Sequence, residues 1–225
     1  MIFRNRQEAG RKLASRLAKY AKREDVIVLG VPRGGVPVAF EVATALNLPL
    51  DIFVLRKLGV PWHEELAFGA IGSGGGRVLN ESVVEEFGIS DVEIALVTRA
   101  EREELERRER LYRGSRPPLD VHGRTIILVD DGIATGSSIR AAIQALRQMK
   151  PTAIVVATPV APQESCNRLQ HEADELVCVE MPEPFYAIGE FYDDFSQVSD
   201  GEVNELLDSA SRLRESGKKE YSAAA

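Results

Sequence analysis

The chain has few of the residues that mark membrane proteins, disulfide-rich proteins and zinc sites. Its 225 residues contain no apolar run long enough to span a membrane. There are only two cysteines and three histidines, and the histidines show no metal-ligand spacing, which argues against a zinc site. We expect Cys166 and Cys178 to be reduced, mostly buried thiols in a cytoplasmic protein. A disulfide between them is the alternative.

Basic residues are outnumbered by acidic ones. The formal net charge is -7, from 28 Lys and Arg against 35 Asp and Glu. This balance argues against general nucleic-acid binding, so we expect no nucleic-acid partner. The lack of a spanning apolar run predicts that there is no membrane partner either. A hydrophobic fraction of 44% and a charged fraction of 28% are typical of a globular protein. Residues Met1 to Arg16 lack the apolar core of a secretory signal.

The most informative stretch runs from Ile126 to Ser138. Its first four residues are apolar, the pattern of a buried parallel strand, and the carboxylates of Asp130 and Asp131 follow directly. A turn of small residues comes next, and from Ile139 apolar residues recur at helical spacing. The predicted order is therefore strand, acidic pair, small-residue loop and helix.

Each part of this stretch suits a ligand. Ligands of open α/β sheets bind outside the carboxyl ends of the strands. The loop from Thr135 to Ser138 presents backbone N–H groups and hydroxyls at a helix N-terminus, which favours an anion. Ionised Asp130 and Asp131 only accept hydrogen bonds, so they suit hydroxyl groups or a hydrated metal ion. A sugar phosphate fits both halves, whereas a Rossmann-like turn with ordinary capping residues is the structural alternative.

A second strand–loop–helix unit precedes this one. Val26 to Val31 is predicted to form a buried strand, followed by Arg33-Gly34-Gly35 and a helix from Val36 to Leu46. The glycines let the backbone approach a ligand closely, and the Arg33 guanidinium offers a planar cationic fork for phosphate. The next predicted strand, Leu50 to Leu55, runs into Arg56 and Lys57. These cations are either solvated charges or further anion ligands at the same sheet edge.

The remaining pattern alternates strands and helices, which predicts a mainly parallel sheet with right-handed crossovers. A first helix is expected to begin after Asn5, with its basic residues facing water. Gly72 to Gly76 is predicted to be the tip of a hairpin. A capping box at Ser90 begins a long charged helix to about Tyr112, for which we favour simple solvent exposure over the role of a mobile lid. A last helix, Glu202 to Leu213, is predicted to precede a loose tail.

The stretch Ile126 to Ser138 resembles the phosphoribosyl-pyrophosphate (PRPP) loop of type I phosphoribosyltransferases, which is an apolar strand, two acidic residues, then Thr-Gly and small hydroxyl residues. The resemblance covers Val26 to about Phe195. It implies an α/β fold with a Rossmann-like parallel sheet flanked by helices, a small hood and a β-hairpin. The implied organisation is a single domain over residues 1–215, with a core of about 22–180, a hood of about 181–200 joined by the N-terminal segment, and a flexible tail at 216–225.

The resemblance also implies residue roles. Asp130 and Asp131 would be the catalytic pair, near the sugar as it becomes cationic. The predicted ligands of the PRPP 5'-phosphate are Ala134, Thr135, Gly136, Ser137 and Ser138. Those of the pyrophosphate are Arg33, Gly34, Gly35, Arg56 and Lys57, and in this family the first of these loops commonly contains a strained or cis peptide. The aromatic segment from Met181 to Phe195 either covers the core or forms the hood, in which case Tyr186 would stack on the base and Asp193 would lie near the metal, Mg²⁺.

The implied activity is transfer of phosphoribosyl from Mg-PRPP to a nitrogen of a nucleobase-like acceptor or an amine, with release of pyrophosphate, within nucleotide metabolism. We expect a homodimer. The 6-oxopurine enzymes have an Asp at the position of Ala134 and a Lys in the segment matching Val155 to Val160, so hypoxanthine and guanine are disfavoured. The general base stays open, although the helix near Glu101 to Glu106 is one source. An alternative function is that of a non-catalytic PRPP-sensing regulator with the same fold.

Overall fold

The computed structural model describes residues 2–114 and 116–223; of residues 64, 65 and 215–223 only the backbone is described. The expected alternation of strands and helices is present. The elements are α1 (Arg6–Arg16), β1 (Val26–Gly30), α2 (Gly35–Leu46), β2 (Leu50–Ile52), β3 (Leu55–Val60), β4 (His63–Gly72), β5 (Arg77–Leu79), α3 (Glu81–Glu86), α4 (Asp91–Arg113), β6 (Thr125–Val129), α5 (Ser137–Gln148), β7 (Ala153–Val160), α6 (Gln163–Leu169), β8 (Glu175–Glu180) and α7 (Asp200–Ala223).

The main sheet is parallel and has five strands in the order β2-β1-β6-β7-β8. Strands β1 and β6 are neighbours, and their last residues, Gly30 and Val129, are paired. The backbone N–H of Val31 donates to the carbonyl of Val129 at 2.9 Å. Because both strands end at the same level of one sheet edge, the loops that follow them leave the sheet side by side.

Helices cover both faces of this sheet, which explains why β1 and β6 are continuously apolar. On one face, Leu29 and Leu128 pack in a core with residues of α5 and α6. On the other face, Val28 and Ile127 pack with residues of α1 and α2. All four side chains are fully buried, and burial of each contributes about 1.5–3 kcal/mol relative to exposure. The expected Rossmann-like sheet is therefore confirmed.

The predicted strand from Leu50 to Leu55 is wrong in extent. The parallel strand β2 ends at Ile52, and the chain then turns into β3 of a separate antiparallel sheet with the order β3-β4-β5. At the turn, the N–H of Val54 donates to the Ser73 hydroxyl and the N–H of Ser73 donates to the Val54 carbonyl, both at 2.9 Å. The expected hairpin thus gains a third strand, and Arg56 and Lys57 lie on that strand rather than after a parallel one.

The N-terminal segment packs against the aromatic segment that follows β8. The N–H of Phe3 donates to the Phe191 carbonyl at 3.0 Å, and the N–H of Asp193 donates to the Phe3 carbonyl at 2.9 Å. The rings of Phe3 and Tyr192 lie 5.4 Å apart between centroids. We call the segment from Met181 to Ser199 the hood segment. Its aromatic rings form a small core with the N-terminus beside the sheet edge at which β6 ends.

The two long helices differ in part from expectation. Helix α4 begins with the predicted capping box at Ser90, and its charged outer face is exposed as expected. Its inner side, however, buries Ile94, Leu105 and Tyr112 against the small sheet and α7. Helix α7 continues to Ala223, so the expected end near Leu213 is wrong, and the segment predicted to be a tail is helical as far as it is described. Among the described helices, none combines the length and the apolar character that crossing a bilayer requires.

Candidate active site

The loops after β1 and β6 contact each other directly. A Cβ atom on Gly34 would lie 2.0 Å from Oδ2 of Asp131, and one on Gly35 would lie 2.6 Å from the Val129 carbonyl oxygen. Only glycine therefore allows this approach without a shift of the neighbouring loop. The peptide bond between Pro32 and Arg33 is cis. The two loops therefore meet at one edge of the sheet.

The acidic pair lies at the carboxyl end of β6, largely withdrawn from water. Nε of Arg6 donates to Oδ2 of Asp131 at 2.7 Å, and Asp131 is 8% exposed. The backbone N–H of Asp131 donates to Oδ1 of Asp130 at 2.9 Å. Loss of water, together with the charge of Asp131, raises the pKa of Asp130 well above its ordinary value. Burial also raises the pKa of Asp131, although the Arg6 guanidinium opposes this shift. A ligand that donates hydrogen bonds or carries positive charge would stabilise the charged forms of these two carboxylates.

The small-residue loop is exposed to solvent on its outer side, and a hydrogen bond from beneath holds its backbone. Thr135, Ser137 and Ser138 are exposed, and Gly136 adopts a left-handed conformation, with φ of 78°, as the N-cap of α5. Beneath the loop, the Ser165 hydroxyl donates to the Ala134 carbonyl at 2.5 Å. Backbone N–H groups at the start of α5 have no partner within the helix and can bind an anion. Ser165 comes from α6, and no pattern in the sequence indicated its role.

A cleft of about 750 Å³ opens beside the two loops. Pro32 and Ser138 contribute from the loops, and α4 forms the opposite wall. Three cationic side chains from β3 and α4 line it, namely Arg56, Lys57 and Arg108. The Arg56 guanidinium donates from Nε to Oε2 of Glu101 at 2.6 Å. Helix α4 is therefore a wall of the cleft as well as an exposed helix.

Arg33 points toward the first residue of α7. Its guanidinium lies 3.7 Å from Oδ1 of Asp200, and the side chain keeps 38% exposure. The Tyr112 hydroxyl donates to the same Asp200 oxygen at 2.6 Å. Burial, followed by this hydrogen bond, raises the pKa of Tyr112 to about 12. Arg33 is thus loosely paired and partly open to solvent, as a side chain that meets a ligand would be.

The two residues predicted in the hood segment are exposed. Tyr186 is 78% exposed, and Asp193 also faces solvent. The adjacent Tyr192 is buried, and its hydroxyl donates to the Asp131 carbonyl at 2.5 Å, which joins the hood segment to the acidic pair. Among the side chains that the structure describes, no group of three or more His, Cys, Asp or Glu residues is arranged to hold a metal ion. Base stacking on Tyr186 and metal binding at Asp193 stay predictions.

Arg6 is the main residue that the sequence interpretation missed. We expected the basic residues of α1 to face water, which is wrong for Arg6, since it is 8% exposed. A signal was available. Arg6 precedes Ala9 by three positions and Leu13 by seven, the spacing of the buried face of α1, so it lies on that face.

The comparisons with known proteins agree on one family. Residues 73–196 match the family model described as the phosphoribosyl transferase domain. Two Mycobacterium tuberculosis proteins that carry the provisional name of phosphoribosyl transferase are 47% identical over 211 residues, which is 94% of this chain and 47% of theirs. The chain therefore spans about half the length of these curated relatives.

A solved structure is also similar over nearly its whole length. The crystal structure of a Thermus thermophilus protein, TT1426, superposes with a TM-score of 0.81 and 41% sequence identity. The match covers 92% of this chain and 98% of that one. The fold described above is thus shared with the Thermus thermophilus protein.

Proposed function

Since the chain belongs to the phosphoribosyl transferase domain family, we propose that it transfers the phosphoribosyl group of PRPP to a nitrogen acceptor and releases pyrophosphate. The observation that carries this proposal is the contact between Gly34 and Asp131. It brings a cationic loop and an acidic pair to one point of the sheet edge, beside a loop suited to a phosphate. A molecule with a phosphate at one end, hydroxyls in the middle and a pyrophosphate at the other end fits this sequence of sites.

The 5'-phosphate would bind at the start of α5. Thr135, Ser137 and Ser138 are exposed and offer hydroxyls there, and the first-turn backbone N–H groups and the partial positive charge of the helix N-terminus add to them. Gly136 needs its left-handed conformation for the loop to turn into the helix. The Ser165 hydrogen bond to Ala134 keeps the loop in this shape without contact to the ligand.

The pyrophosphate would bind between the turn at Arg33 to Gly35 and β3. Arg33, Arg56 and Lys57 supply the positive charge, and Pro32, Arg56 and Lys57 line the same cleft. A guanidinium can donate two parallel hydrogen bonds to a phosphate, which makes it suited to this leaving group. These side chains would stabilise the negative charge that the leaving pyrophosphate gains in the transition state.

The reaction would form a bond between the acceptor nitrogen and the anomeric carbon of ribose, while the bond from that carbon to the pyrophosphate oxygen breaks. The sugar then carries transient positive charge. The acidic pair lies where the ribose would be and stabilises that charge by electrostatic attraction. The raised pKa of Asp130 in the ligand-free protein fits this role, because its carboxylate lacks a compensating partner until the ligand arrives.

The carboxylate oxygens near the sheet edge suit Mg²⁺ as ligands. This ion binds proteins through one or two carboxylates and otherwise through water and substrate phosphates. Asp193 is an exposed carboxylate next to Tyr192, which contacts the acidic pair, so it is the residue that we assign to the metal. When bound, Mg²⁺ would neutralise charge on the pyrophosphate. The acceptor is a nucleobase or an amine, with Tyr186 as its stacking surface. A homodimer, a cytoplasmic location and a role in nucleotide metabolism are further parts of this proposal.

Calorimetric titration tests the proposed ligand. Mg-PRPP, ribose 5-phosphate and pyrophosphate are each titrated into the protein at the same ionic strength. We expect all three to bind and PRPP to bind most tightly, because it occupies the phosphate loop and the cationic turn together. Absence of heat from Mg-PRPP, with a folded protein, would contradict the proposal.

A further inference from the structure

Arg33 is the cation of the turn after β1, yet it is not among the described residues that line the candidate cleft. The cationic side chains that do line the cleft are Arg56, Lys57 and Arg108. The Arg33 guanidinium lies instead on the side of α7, with one terminal nitrogen 3.7 Å from Oδ1 of Asp200. A side chain that we assign to pyrophosphate is therefore held by another partner in the ligand-free protein.

The partner of Arg33 is itself fixed. Tyr112 is buried in the last turn of α4, and its hydroxyl donates to Oδ1 of Asp200 at 2.6 Å. Asp200 is the first residue of α7, so this hydrogen bond joins the end of one helix to the start of the other. Burial, followed by this bond, raises the pKa of Tyr112 to about 12. The hydroxyl therefore keeps its proton and continues to donate at neutral pH.

The contact between Arg33 and Asp200 is an ion pair and not a hydrogen bond. Its 3.7 Å separation exceeds the usual length of an N–H···O hydrogen bond, about 2.7–3.2 Å. The two side chains keep 38% and 45% exposure, so water screens their attraction. The Tyr112 hydroxyl bonds to the same oxygen, Oδ1, and so competes with the guanidinium for it. A multiply charged anion can displace a pair of this kind.

Two further arginines of α4 act on this cluster without an ion pair to it. The charge of Arg108 acts on Tyr112, and that of Arg107 acts on Asp200. Both guanidiniums donate from Nε to Glu104, Arg107 at 2.7 Å and Arg108 at 2.8 Å. Within the described part of the chain, the ion pair of Asp200 is therefore with the turn after β1.

We propose that Asp200 and Tyr112 are positioning residues for Arg33. Asp200 keeps the guanidinium on the α7 side of the turn while no ligand is bound, and Tyr112 keeps that ion pair loose enough for pyrophosphate to displace it. The start of α7 thereby controls how readily the turn binds the leaving group. This inference rests on the proposed function, in which Arg33 binds pyrophosphate, and it adds two side chains to which that proposal gives no role.

Removal of the Asp200 charge should release Arg33. The dissociation constant of pyrophosphate is measured by calorimetry at one ionic strength for the wild type and Asp200→Asn. We expect the variant to bind about 1.4–5 times more tightly, the range that exposed ion pairs contribute. In an Arg33→Met background the same substitution should bring no gain, because its effect passes through Arg33. Asp208→Asn is the matched control, since Asp208 is exposed on the same helix and pairs with Arg116.

Tyr112→Phe should act in the opposite direction. It removes the hydroxyl that donates to Asp200 and leaves Oδ1 free to accept a hydrogen bond from the Arg33 guanidinium. Because a charge-assisted hydrogen bond is stronger than a loose ion pair, pyrophosphate should bind more weakly, by about the same factor. Ribose 5-phosphate, which would bind at α5, should bind every variant as it binds the wild type. A purely structural role of Tyr112 and Asp200 would not produce opposite signs for one ligand and no change for the other.

Three results would overturn the inference. Weaker pyrophosphate binding by Asp200→Asn would show that Asp200 orients Arg33 toward the ligand. A gain that persists in the Arg33→Met background would show that Asp200 repels the ligand directly. Unchanged or tighter binding by Tyr112→Phe, in protein that thermal melting shows to be folded, would contradict the role of Tyr112. If Arg33→Met binds too weakly to measure, the signs of the Asp200→Asn and Tyr112→Phe effects decide the question.

The wild type separates this inference from the proposed function. If it binds Mg-PRPP and pyrophosphate but every variant has the wild-type affinity, the inference fails and the proposed function stands. If the folded wild type binds neither ligand, the proposed function fails and the inference fails with it.

Discussion

Arg56 and Glu101 form an ion pair across the candidate cleft, with 2.6 Å between Nε and Oε2. The pair joins β3 of the small sheet to α4, and its side chains are 28% and 25% exposed. An anion from α4 thus lies beside one of the cations that we assign to pyrophosphate. Helix α4 contributes to the charge of the cleft and would compete with the ligand for Arg56.

Removal of the Glu101 charge should therefore strengthen pyrophosphate binding. For Glu101→Gln we expect an affinity about 1.4–5 times higher, because partly exposed ion pairs contribute about 0.2–1 kcal/mol. Titration calorimetry with pyrophosphate measures the change. Glu103→Gln on the same helix is the control, since Glu103 is 70% exposed and pairs with Arg99. Weaker binding by Glu101→Gln would show that Glu101 orients Arg56 instead of competing for it.

The Gly34→Ala substitution should disrupt the contact between the two loops. The backbone of Gly34 is helical, with φ of -61° and ψ of -33°, so an alanine is not strained by its conformation. Its Cβ would, however, lie 2.0 Å from Asp131, and overpacking of this kind costs about 1–3 kcal/mol. We expect a lower melting temperature and weaker Mg-PRPP binding, measured by calorimetry.

Gly201→Ala is the matched control for that substitution. A Cβ there meets only the Ser199 hydroxyl, at 3.8 Å, in the first turn of α7. Alanine is favoured over glycine in helices by about 0.5–1 kcal/mol, so this variant should be as stable as the wild type or more so. Equal effects of Gly34→Ala and Gly201→Ala would contradict the close contact at Gly34.

The elements that the sequence predicted well are those with strong local signals. The apolar runs of β1 and β6 are buried on both sheet faces, and the capping box at Ser90 begins α4 as predicted. The phosphate loop was recognisable because its residues follow one another along the chain. The boundary at Ile52 was not, because the switch between sheets depends on hydrogen bonds between Val54 and Ser73, which are distant in sequence.

The stability of the ligand-free protein should depend on pH through Asp130. Loss of water and the charge of Asp131 raise its pKa in the folded state, whereas an unfolded aspartate has an ordinary pKa of about 3.9. A raised pKa means that the contribution of this group to stability is fully present below the unfolded pKa. That contribution is lost as the pH rises through the folded pKa.

Asp130→Asn should consequently raise the melting temperature at neutral pH, by an amount equivalent to about 1.4 kcal/mol for each unit of pKa shift. The gain should vanish below about pH 4, where the carboxyl is protonated in both states. Melting curves from pH 3 to pH 8 measure it, with the exposed Asp120→Asn as control. A variant less stable than the wild type at pH 7 would contradict the unpaired state of Asp130.

The phosphate loop can be tested by two neighbouring substitutions. Ser137→Ala removes one hydroxyl and should weaken ribose 5-phosphate binding about two- to thirteenfold, because a single hydrogen bond contributes about 0.5–1.5 kcal/mol. Gly136→Val should weaken it much more, since a β-branched residue does not readily adopt the φ of 78° found there. Equally small effects of both on the calorimetric affinity would count against a phosphate at this loop.

The contacts that complete the site join residues far apart in the chain and could not be predicted from the sequence. Arg6 and Asp131 are 125 positions apart, and Tyr112 and Asp200 are 88 positions apart. Such partners depend on how α1, α4 and α7 pack around the sheet, and no local spacing encodes this. The burial of Arg6 was detectable from its place on the apolar face of α1, but its partner was not.

The central claim is that the acidic pair serves catalysis and not only binding. The most direct measurement is pyrophosphate release from Mg-PRPP in the presence of a panel of nucleobases and amines, for the wild type and for Asp130→Asn. We predict release that depends on at least one acceptor in the wild type, and a loss of turnover in the variant that exceeds its loss of PRPP affinity, because the positive charge on ribose develops only in the transition state. Tight PRPP binding without release above the blank, for every acceptor, would contradict the account and identify a PRPP sensor.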